Sequence, residues 1–254
     1  VADKADFEAK VAANDVAGVI IPAPNFYGIV EDYTGWADFC HQHKTLLIIN
    51  AVASTLGVLK TPAEWGADIA VGDGQSLGLP MSFGGPFVGY LCASKKLIRK
   101  MPGRIVGATQ DKEGKRTFVL TLQAREQHIR REKATSNICS NQGLMSLYVT
   151  IYMALMGKKG LREVNELSYS GAHYLADQLC KTGKFEMAYP GKPYLNEFAV
   201  KVHGDIDKLQ EDLRGIQGAQ FGLKIADDQL LLCVTETLTK EDIDVVVETC
   251  NNLI

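Results

Sequence analysis

The 254-residue sequence lacks a long hydrophobic run. A membrane-spanning helix needs about 20 nearly uninterrupted apolar residues, whereas the best candidate, from Leu144 to Met156, is shorter and contains Ser146 and Thr150. The N-terminus shows no basic-then-apolar leader, although the sequence begins at Val1 and can therefore be part of a longer chain. We expect neither a membrane protein nor a secreted one.

An excess of charge of one sign is also missing. The chain has 27 Lys+Arg against 30 Asp+Glu, a net charge of −3, so we expect no broad basic surface and no nucleic-acid partner. Hydrophobic residues make up 46% of the chain, which excludes disorder because this much apolar material can form a core. At about 100–200 residues per domain, the length predicts one large or two modest domains.

The sequence has few residues in the spacings that mark metal, redox or nucleophile sites. None of its six cysteines forms a CxxC pair, so we expect small buried hydrophobes in a reducing compartment rather than disulfides. His41 and His43 have no third ligand type nearby, and we therefore predict no metal site. A GxSxG nucleophile elbow is absent, which gives no support to serine hydrolysis.

The N-terminal part of the sequence alternates short apolar runs with helical patterns. The runs predict four buried strands, at Ala17–Ile21 (stopped by Pro22), Thr45–Ile49, Ala67–Val71 and Phe87–Cys92. Helices are predicted at 5–14 and at 34–43, the second with Thr34 as N-cap. This order is typical of an α/β layer with a mainly parallel sheet.

The pattern changes after Arg104. We predict a strand at Thr117–Leu122, a polar helix at Ala124–Lys133, and a helix from Gly143 to Met156 that Gly157 ends. Apolar residues cover nearly all faces of that last helix, so it is expected to be buried. A second helix follows at about 161–180.

The last 70 residues predict a small α+β domain. The predicted elements are strands at Glu197–Val202 and Leu230–Val234, a helix at Asp205–Arg214, and a final helix that starts at Thr239. Asp242, at the third helical position, completes a box-like cap with Thr239.

Two segments are candidates for chemistry. Gly72 to Pro86 carries five glycines in fifteen residues after a buried strand, and neither GxGxxG nor GxxxxGK[ST] fits it. It is either an irregular sheet-edge connection or a site, since sites lie at strand ends in α/β sheets. The basic segment 124–138 is either a solvated helix with charge pairs or an edge where Arg125, Arg130 and Arg131 hold carboxylates.

These segments together resemble a known family. The resemblance rests on Pro24–Gly28, Leu56–Leu59, Gly72–Pro86, Pro102–Arg104 and, above all, Leu120–Asn141. They are similar to subunit 1 of glycine dehydrogenase (decarboxylating), the α half of the two-subunit P-protein of the glycine cleavage system. The resemblance spans essentially the whole chain but only the later part of that subunit, without its first two-fifths.

The resemblance implies an α/β fold, that of pyridoxal-phosphate (PLP)-dependent transferases of fold type I. Residues 1–140 would be the remainder of the large α/β domain with its mainly parallel sheet. Residues 141–254 would be the interdomain helices and the small C-terminal α+β domain. Because the large domain would lack part of its family's chain, we also expect exposed apolar strand edges and self-association.

The resemblance also implies that this chain does not hold PLP. Gln75 stands at the apparent Schiff-base lysine position, and an amide cannot condense with an aldehyde. Asn50, or Val52 in the other register, stands where an acid would face the pyridine nitrogen. We therefore expect no catalytic and no cofactor-binding residue here, and PLP on the β subunit.

The function implied is that of a heterotetramer (α2β2) that decarboxylates glycine and transfers the aminomethyl group to the lipoyl H-protein in a prokaryotic cytoplasm. This chain alone is expected to be inactive. Five residues are carried over as interface or cleft-lining groups: Arg104, Arg125, Arg130, Thr135 and Asn137. The alternatives are a non-catalytic scaffold that reuses the PLP fold and a self-sufficient PLP decarboxylase or aminotransferase.

Overall fold

The computed structural model describes residues 2–13, 15–103, 105–122, 126–134, 142–217 and 220–253. Within these ranges the chain forms two four-stranded sheets and one two-stranded hairpin. Each four-stranded sheet has its own apolar core. The division at residue 140/141 falls in an undescribed stretch and stays a proposal.

The first sheet has the strand order β1-β2-β3-β4. Its strands are β1 (Gly18–Ala23), β2 (Leu46–Ala51), β3 (Ile69–Asp73) and β4 (Gly89–Ala93). The first three are parallel, and β4 runs antiparallel to β3 because the Gly72–Pro86 loop returns the chain without a helical crossover. The expected mainly parallel sheet is confirmed.

Two details of this sheet differ from the prediction. β1 continues through Pro22, because β1 is an edge strand among the described residues and the missing N–H breaks no ladder bond there. Thr34 is not the N-cap of its helix: its backbone N and Oγ1 bind Asp32 Oδ1 at 2.9 and 2.6 Å, and Gly35 occupies the cap position.

Helices α1 (Lys4–Ala13) and α2 (Trp36–Gln42) pack on one face of the first sheet. Phe7 of α1 stacks on Trp36 of α2, with ring centroids 4.0 Å apart, above the fully buried Leu47 and Ile49 of β2. Burial of these side chains holds the helices to the sheet.

Asp68, just before β3, is the most buried carboxylate of this layer, at 2% exposure. Its Oδ2 accepts hydrogen bonds from His41 Nε2 (2.8 Å) and Leu47 N (3.0 Å), and its Oδ1 pairs with Lys96 Nζ at 2.9 Å. Desolvation raises the pKa of Asp68, but the hydrogen bonds from Lys96, His41 and Leu47 outweigh it and hold this pKa below its ordinary value.

The segment after the first sheet is a hairpin of β5 (Ile105–Gln110) and β6 (Arg116–Thr121). The second strand was predicted from sequence, and the first was not. The predicted helix at Ala124–Lys133 is only partly present: the described residues form α3 (Gln127–Arg130) and a 3-10 turn, because Arg131 has a φ of +53° that ends the α-helix.

The long helix α4 (Gly143–Lys181) is interrupted at Gly157, whose φ and ψ are 59° and −174°. The predicted end at Gly157 is thus a break, after which the helix resumes at once. The expected burial of Gly143–Met156 is wrong for the described residues. Its face carries Leu144, Leu147, Ile151 and Leu155 at 50–82% exposure, because no described element packs over them.

The second sheet has the order β7-β8-β10-β9 and is antiparallel throughout. Its strands are β7 (Phe185–Met187), β8 (Glu197–Val202), β9 (Leu223–Ala226) and β10 (Gln229–Cys233); β7 and β9 were not predicted. The C-terminal part of α4 packs on it together with α5 (Ile206–Gln217) and α6 (Lys240–Leu253).

The predicted cap of α6 is confirmed. Asp242 Oδ2 accepts from the Thr239 backbone N at 2.9 Å, and Thr239 Oγ1 accepts from Asp242 N at 3.2 Å. Two backbone donors at the helix start are thereby satisfied.

Three observations on membrane spans, metal ligands and cysteines concern the part of the chain that the structure describes. No helix there is long and apolar enough to cross a membrane. No group of three His, Cys, Asp or Glu side chains there could hold a metal ion. The five described cysteines are free: Cys40 and Cys250 are buried as expected, whereas Cys92 and Cys233 are exposed.

Candidate functional site

A cleft of about 520 Å³ lies where the two sheets and α4 meet. One wall follows the carboxyl ends of β1, β2 and β3, the usual place for a site in an open α/β sheet. The second wall comes from α4, and the third from the start of β8 and the end of β10. The Gly-rich loop therefore borders a cleft rather than forming only a sheet-edge connection.

Gln75 lies in this cleft, on the loop that follows β3. Its side-chain Nε2 donates to the Leu79 carbonyl at 2.7 Å, and its backbone N donates to Asp73 Oδ1 at 2.6 Å. The amide thus closes a turn within its own loop. Gly78, with φ +86°, lets that turn pass against the ring of Tyr152, where a Cβ would come within 2.4 Å of a ring carbon.

The two residues that the sequence left open at the end of β2 lie in different surroundings. Val52 lines the cleft, while Asn50 is exposed on β2 and is not among the cleft-lining residues. Ala51 between them is buried, and its carbonyl accepts from Tyr90 Oη at 2.6 Å. An apolar side chain therefore faces the cleft from this strand.

A buried amide holds α4 to the 3-10 turn that follows β2 at the cleft. Asn165, 5% exposed, donates from Nδ2 to the Ser54 carbonyl (2.9 Å) and to the Leu161 carbonyl (2.7 Å). The Ser54 backbone N in turn lies 3.3 Å from Ser76 Oγ. Sequence reasoning missed Asn165; the signal was a polar side chain one turn after Leu161 on a helix face that also carries Ser168.

The third wall carries negative charge. Glu197 opens β8 directly opposite Cys233 at the end of β10, and Glu236 follows on an exposed turn. Desolvation raises the pKa of the Glu197 carboxyl. Although Cys233 is exposed as a residue, desolvation of its thiol and the Glu197 charge raise the pKa of that thiol to about 11, so it is protonated at neutral pH. Sequence reasoning did not single out these residues.

Of the interface or cleft-lining residues carried over by resemblance, the structure describes only Arg130. Arg130 is exposed on α3 and does not line the cleft. Arg104, Arg125, Thr135 and Asn137 lie outside the described residues.

Comparison with known proteins gives this cleft its context. The family model of the glycine cleavage system P-protein matches residues 1–250. The probable glycine dehydrogenase (decarboxylating) subunit 1 of Thermomicrobium roseum is 48% identical over 240 residues, which are 91% of this chain and 53% of that protein. The chain belongs to the glycine cleavage system P-protein family.

Solved structures agree with this assignment. A P-protein crystal structure of the glycine cleavage system, in inhibitor-bound form, has a TM-score of 0.88 at 41% identity, over 94% of this chain and 55% of that one. An alanine–glyoxylate aminotransferase from Nostoc sp. has a TM-score of 0.68 at 15% identity, covering 99% of this chain and 65% of that one, and shows the fold alone. The fold is fold type I of the PLP-dependent enzymes, as predicted.

The chain spans about half the length of the curated P-protein relatives that it matches. Their subunit names imply a partner subunit.

The cleft residues of this P-protein chain do not fit PLP. PLP needs a lysine amine, an acid facing its pyridine nitrogen and donors for its phosphate. Here the Gln75 amide is occupied by Leu79, and Val52 is apolar. Among the described residues that line the cleft, the charged ones are Glu197 and Glu236, whose charge would repel a phosphate.

Proposed function

We propose that this chain is the non-PLP-carrying α subunit of a two-subunit glycine decarboxylase. With a PLP-carrying β subunit it decarboxylates glycine and supports transfer of the aminomethyl group to the lipoyl H-protein. The assembly is an α2β2 heterotetramer of a prokaryotic cytoplasm. The chain divides at residue 140/141 into the remainder of a large α/β domain and a small α+β domain with its interdomain helices.

The observation that carries this proposal is the bond from Gln75 Nε2 to the Leu79 carbonyl. The family resemblance puts Gln75 at the position of the Schiff-base lysine, and the bond holds this non-nucleophilic group within its own loop. A protein that keeps the fold and its cleft without this amine contributes through shape and contacts. The same observation disfavours a self-sufficient PLP decarboxylase or aminotransferase.

The partner surface in this proposal is the exposed apolar face of Gly143–Met156, with Leu144, Leu147, Ile151 and Leu155. Large apolar patches on a folded surface mark contact sites. The exposed Arg130 belongs to the same proposal as an interface residue. Arg104, Arg125, Thr135 and Asn137 are proposed as interface or cleft-lining groups from the family resemblance alone.

Reconstitution tests the proposal. The complete chain, as its source organism makes it, is mixed with the β subunit and lipoyl H-protein, and CO₂ release from labelled glycine is measured. We expect release only when both subunits are present, and no PLP absorbance band on the α chain alone. A Gln75→Ala variant should give the same featureless spectrum.

Two outcomes would contradict the proposal. A PLP absorbance band on the isolated chain, whether or not it persists in Gln75→Ala, would make the chain a cofactor carrier. Failure of the complete chain to restore glycine decarboxylation by an otherwise active β preparation would favour the scaffold without glycine chemistry.

A further inference from the structure

The charged residues that line the cleft determine whether it would attract a cationic or an anionic ligand. Glu197 and Glu236 contribute two carboxylates, and no lysine, arginine or histidine is found among the described residues that line the cleft. Neither carboxylate forms a salt bridge with a described residue. A carboxylate or phosphate entering the cleft would meet repulsion, whereas a cation would meet attraction strengthened by the low-dielectric walls.

The cation that fits is organic rather than metallic. Within the described ranges no three His, Cys, Asp or Glu side chains converge as metal ligands. The cleft instead combines its carboxylates with apolar residues from its other two walls, which we call the apolar strip. They are Pro24, Val52, Leu79 and Pro80 from the segments after β1, β2 and β3, and Val164 of α4. An alkyl chain can pack along such a strip while its charged end stays in a polar environment.

We propose that the cleft binds a primary alkylammonium group, with its stem on the apolar strip and its charge at Glu197. The volume of about 520 Å³ suits a small ligand or a side-chain arm. Thr235 and Thr237 lie on the same wall, and their hydroxyl oxygens, 2.8 Å apart, can accept the remaining ammonium hydrogens.

The position of Glu197 makes it the main anchor. It is half-buried at the start of β8 and next to Cys233, whereas Glu236 is exposed on its turn. The raised pKa of Glu197 reflects desolvation without a cationic partner, the condition that a bound ammonium would relieve. A charged hydrogen bond at such a position is stronger than one at the surface.

The ammonium can come from a free amine or from a lysine side chain of another protein, because both present the same chemistry. Calorimetric titration of the complete chain distinguishes them with n-butylammonium for the first and Nα-acetyl-lysine amide for the second. Butyrate and n-butanol are the matched probes of opposite charge and no charge. We expect saturable binding of one or both amines and of neither control.

Three isosteric variants test the anchor. Glu197→Gln should weaken binding about tenfold or more, the usual effect of losing a charged hydrogen bond. Glu236→Gln should weaken it less, because that carboxylate is more exposed. Glu248→Gln, on the exposed surface of α6 and away from the cleft, is the control and should bind as the parent does.

The proposal is overturned if butyrate binds as well as butylammonium, if neither amine binds, or if Glu197→Gln with an unchanged thermal unfolding curve binds like the parent. The proposal rests on the residues that line the cleft and does not depend on glycine decarboxylation. Failure of amine binding with intact reconstituted decarboxylation would reject this inference and leave the proposed function in place.

Discussion

At the scale of single residues, the Gln75 side chain acts on its own loop. Its amide closes the turn to Leu79, whose side chain packs with Leu77 against Val149 of α4. A lysine amine at this position would have to stay free to react with a cofactor, whereas the Gln75 amide donates its hydrogen bond to a backbone carbonyl. Gln75 therefore helps to set the shape of the cleft wall.

Replacement of Gln75 tests this structural role. Gln75→Ala leaves the Leu79 carbonyl without its side-chain donor, and we expect a loss of about 1 kcal/mol in the free energy of unfolding. The measurement is urea unfolding followed by circular dichroism. Gln178→Ala, which removes an exposed amide bonded to Asp177, is the control and should change stability by less than about 0.5 kcal/mol. Equal effects of the two variants would argue against the role.

Asp68 predicts a pH dependence of stability. Its folded-state pKa is lowered, so its contribution is present above the unfolded-state pKa of about 4 and is lost as the pH falls through the lower folded-state value. Asp68→Asn keeps the shape but removes the charge that Lys96 and His41 bind. We expect a loss of about 2 kcal/mol at pH 7.

That loss should shrink as the pH is lowered toward 3, because below the unfolded-state pKa of about 4 the unfolded parent binds a proton at Asp68 that the folded parent still resists. Urea midpoints of both proteins across this pH range provide the measurement. Asp6→Asn, which removes an exposed i,i+4 partner of Lys10, is the control and should have little effect at any pH. A pH-independent difference between Asp68→Asn and the parent would refute the account.

At the scale of elements, Gly157 decides the form of α4. Its φ of +59° belongs to the left-handed region, where an L side chain is strained, yet the space around a Cβ there is open. Gly157→Ala should therefore destabilise the chain by about 1–2 kcal/mol through backbone strain rather than a clash.

The matched control for this prediction is expected to change the free energy of unfolding in the opposite direction. Gly215 lies within α5, has no atom within 4 Å of a built Cβ and has no positive φ. Gly215→Ala should stabilise the chain by about 0.5–1 kcal/mol, because alanine is the better helix former. The measurement is thermal unfolding of the two variants and the parent. If Gly157→Ala stabilised the chain, the break in α4 would not be imposed by the backbone conformation at Gly157.

Elements were predictable from sequence where the pattern is local. The alternation of apolar runs was sufficient to predict the strands of the first sheet. The pair Thr239 and Asp242 was sufficient to predict the cap of α6. The short strands β7 and β9 were missed because three or four residues carry too little periodicity. The antiparallel β4 depends on how the Gly-rich loop turns, which its composition does not specify.

The candidate site was predictable only in part, for the same reason. Gln75 was singled out by counting back from Pro80 and Gly84-Gly85-Pro86 in the segment that follows a buried strand. Glu197, Cys233 and Asn165 were not, since they reach the cleft from distant segments and no local pattern marks them. The sequence also did not show that Val52, just after β2, lines the cleft whereas Asn50, on β2, does not.

At the scale of the whole molecule, apolar surface is left uncovered on two sides. β1 is an edge strand among the described residues, and its Ile20 is 67% exposed. The N-terminal part of α4 presents Leu155 at 82% exposure. The 254 residues span about half the length of the curated relatives that they match. An unpaired edge with apolar side chains is a template for association.

We therefore expect the 254-residue chain to dimerise or aggregate, with a weight-average mass in light scattering that rises with protein concentration. Ile20→Lys and Leu155→Glu should each lower that mass, because a charge on an edge strand or an apolar helix face opposes pairing. Ile216→Lys, on the equally exposed surface of α5, is the control and should leave association unchanged. A clean monomer at high concentration would contradict the prediction. Equal effects of all three variants would show that charge in general, rather than these two surfaces, governs association.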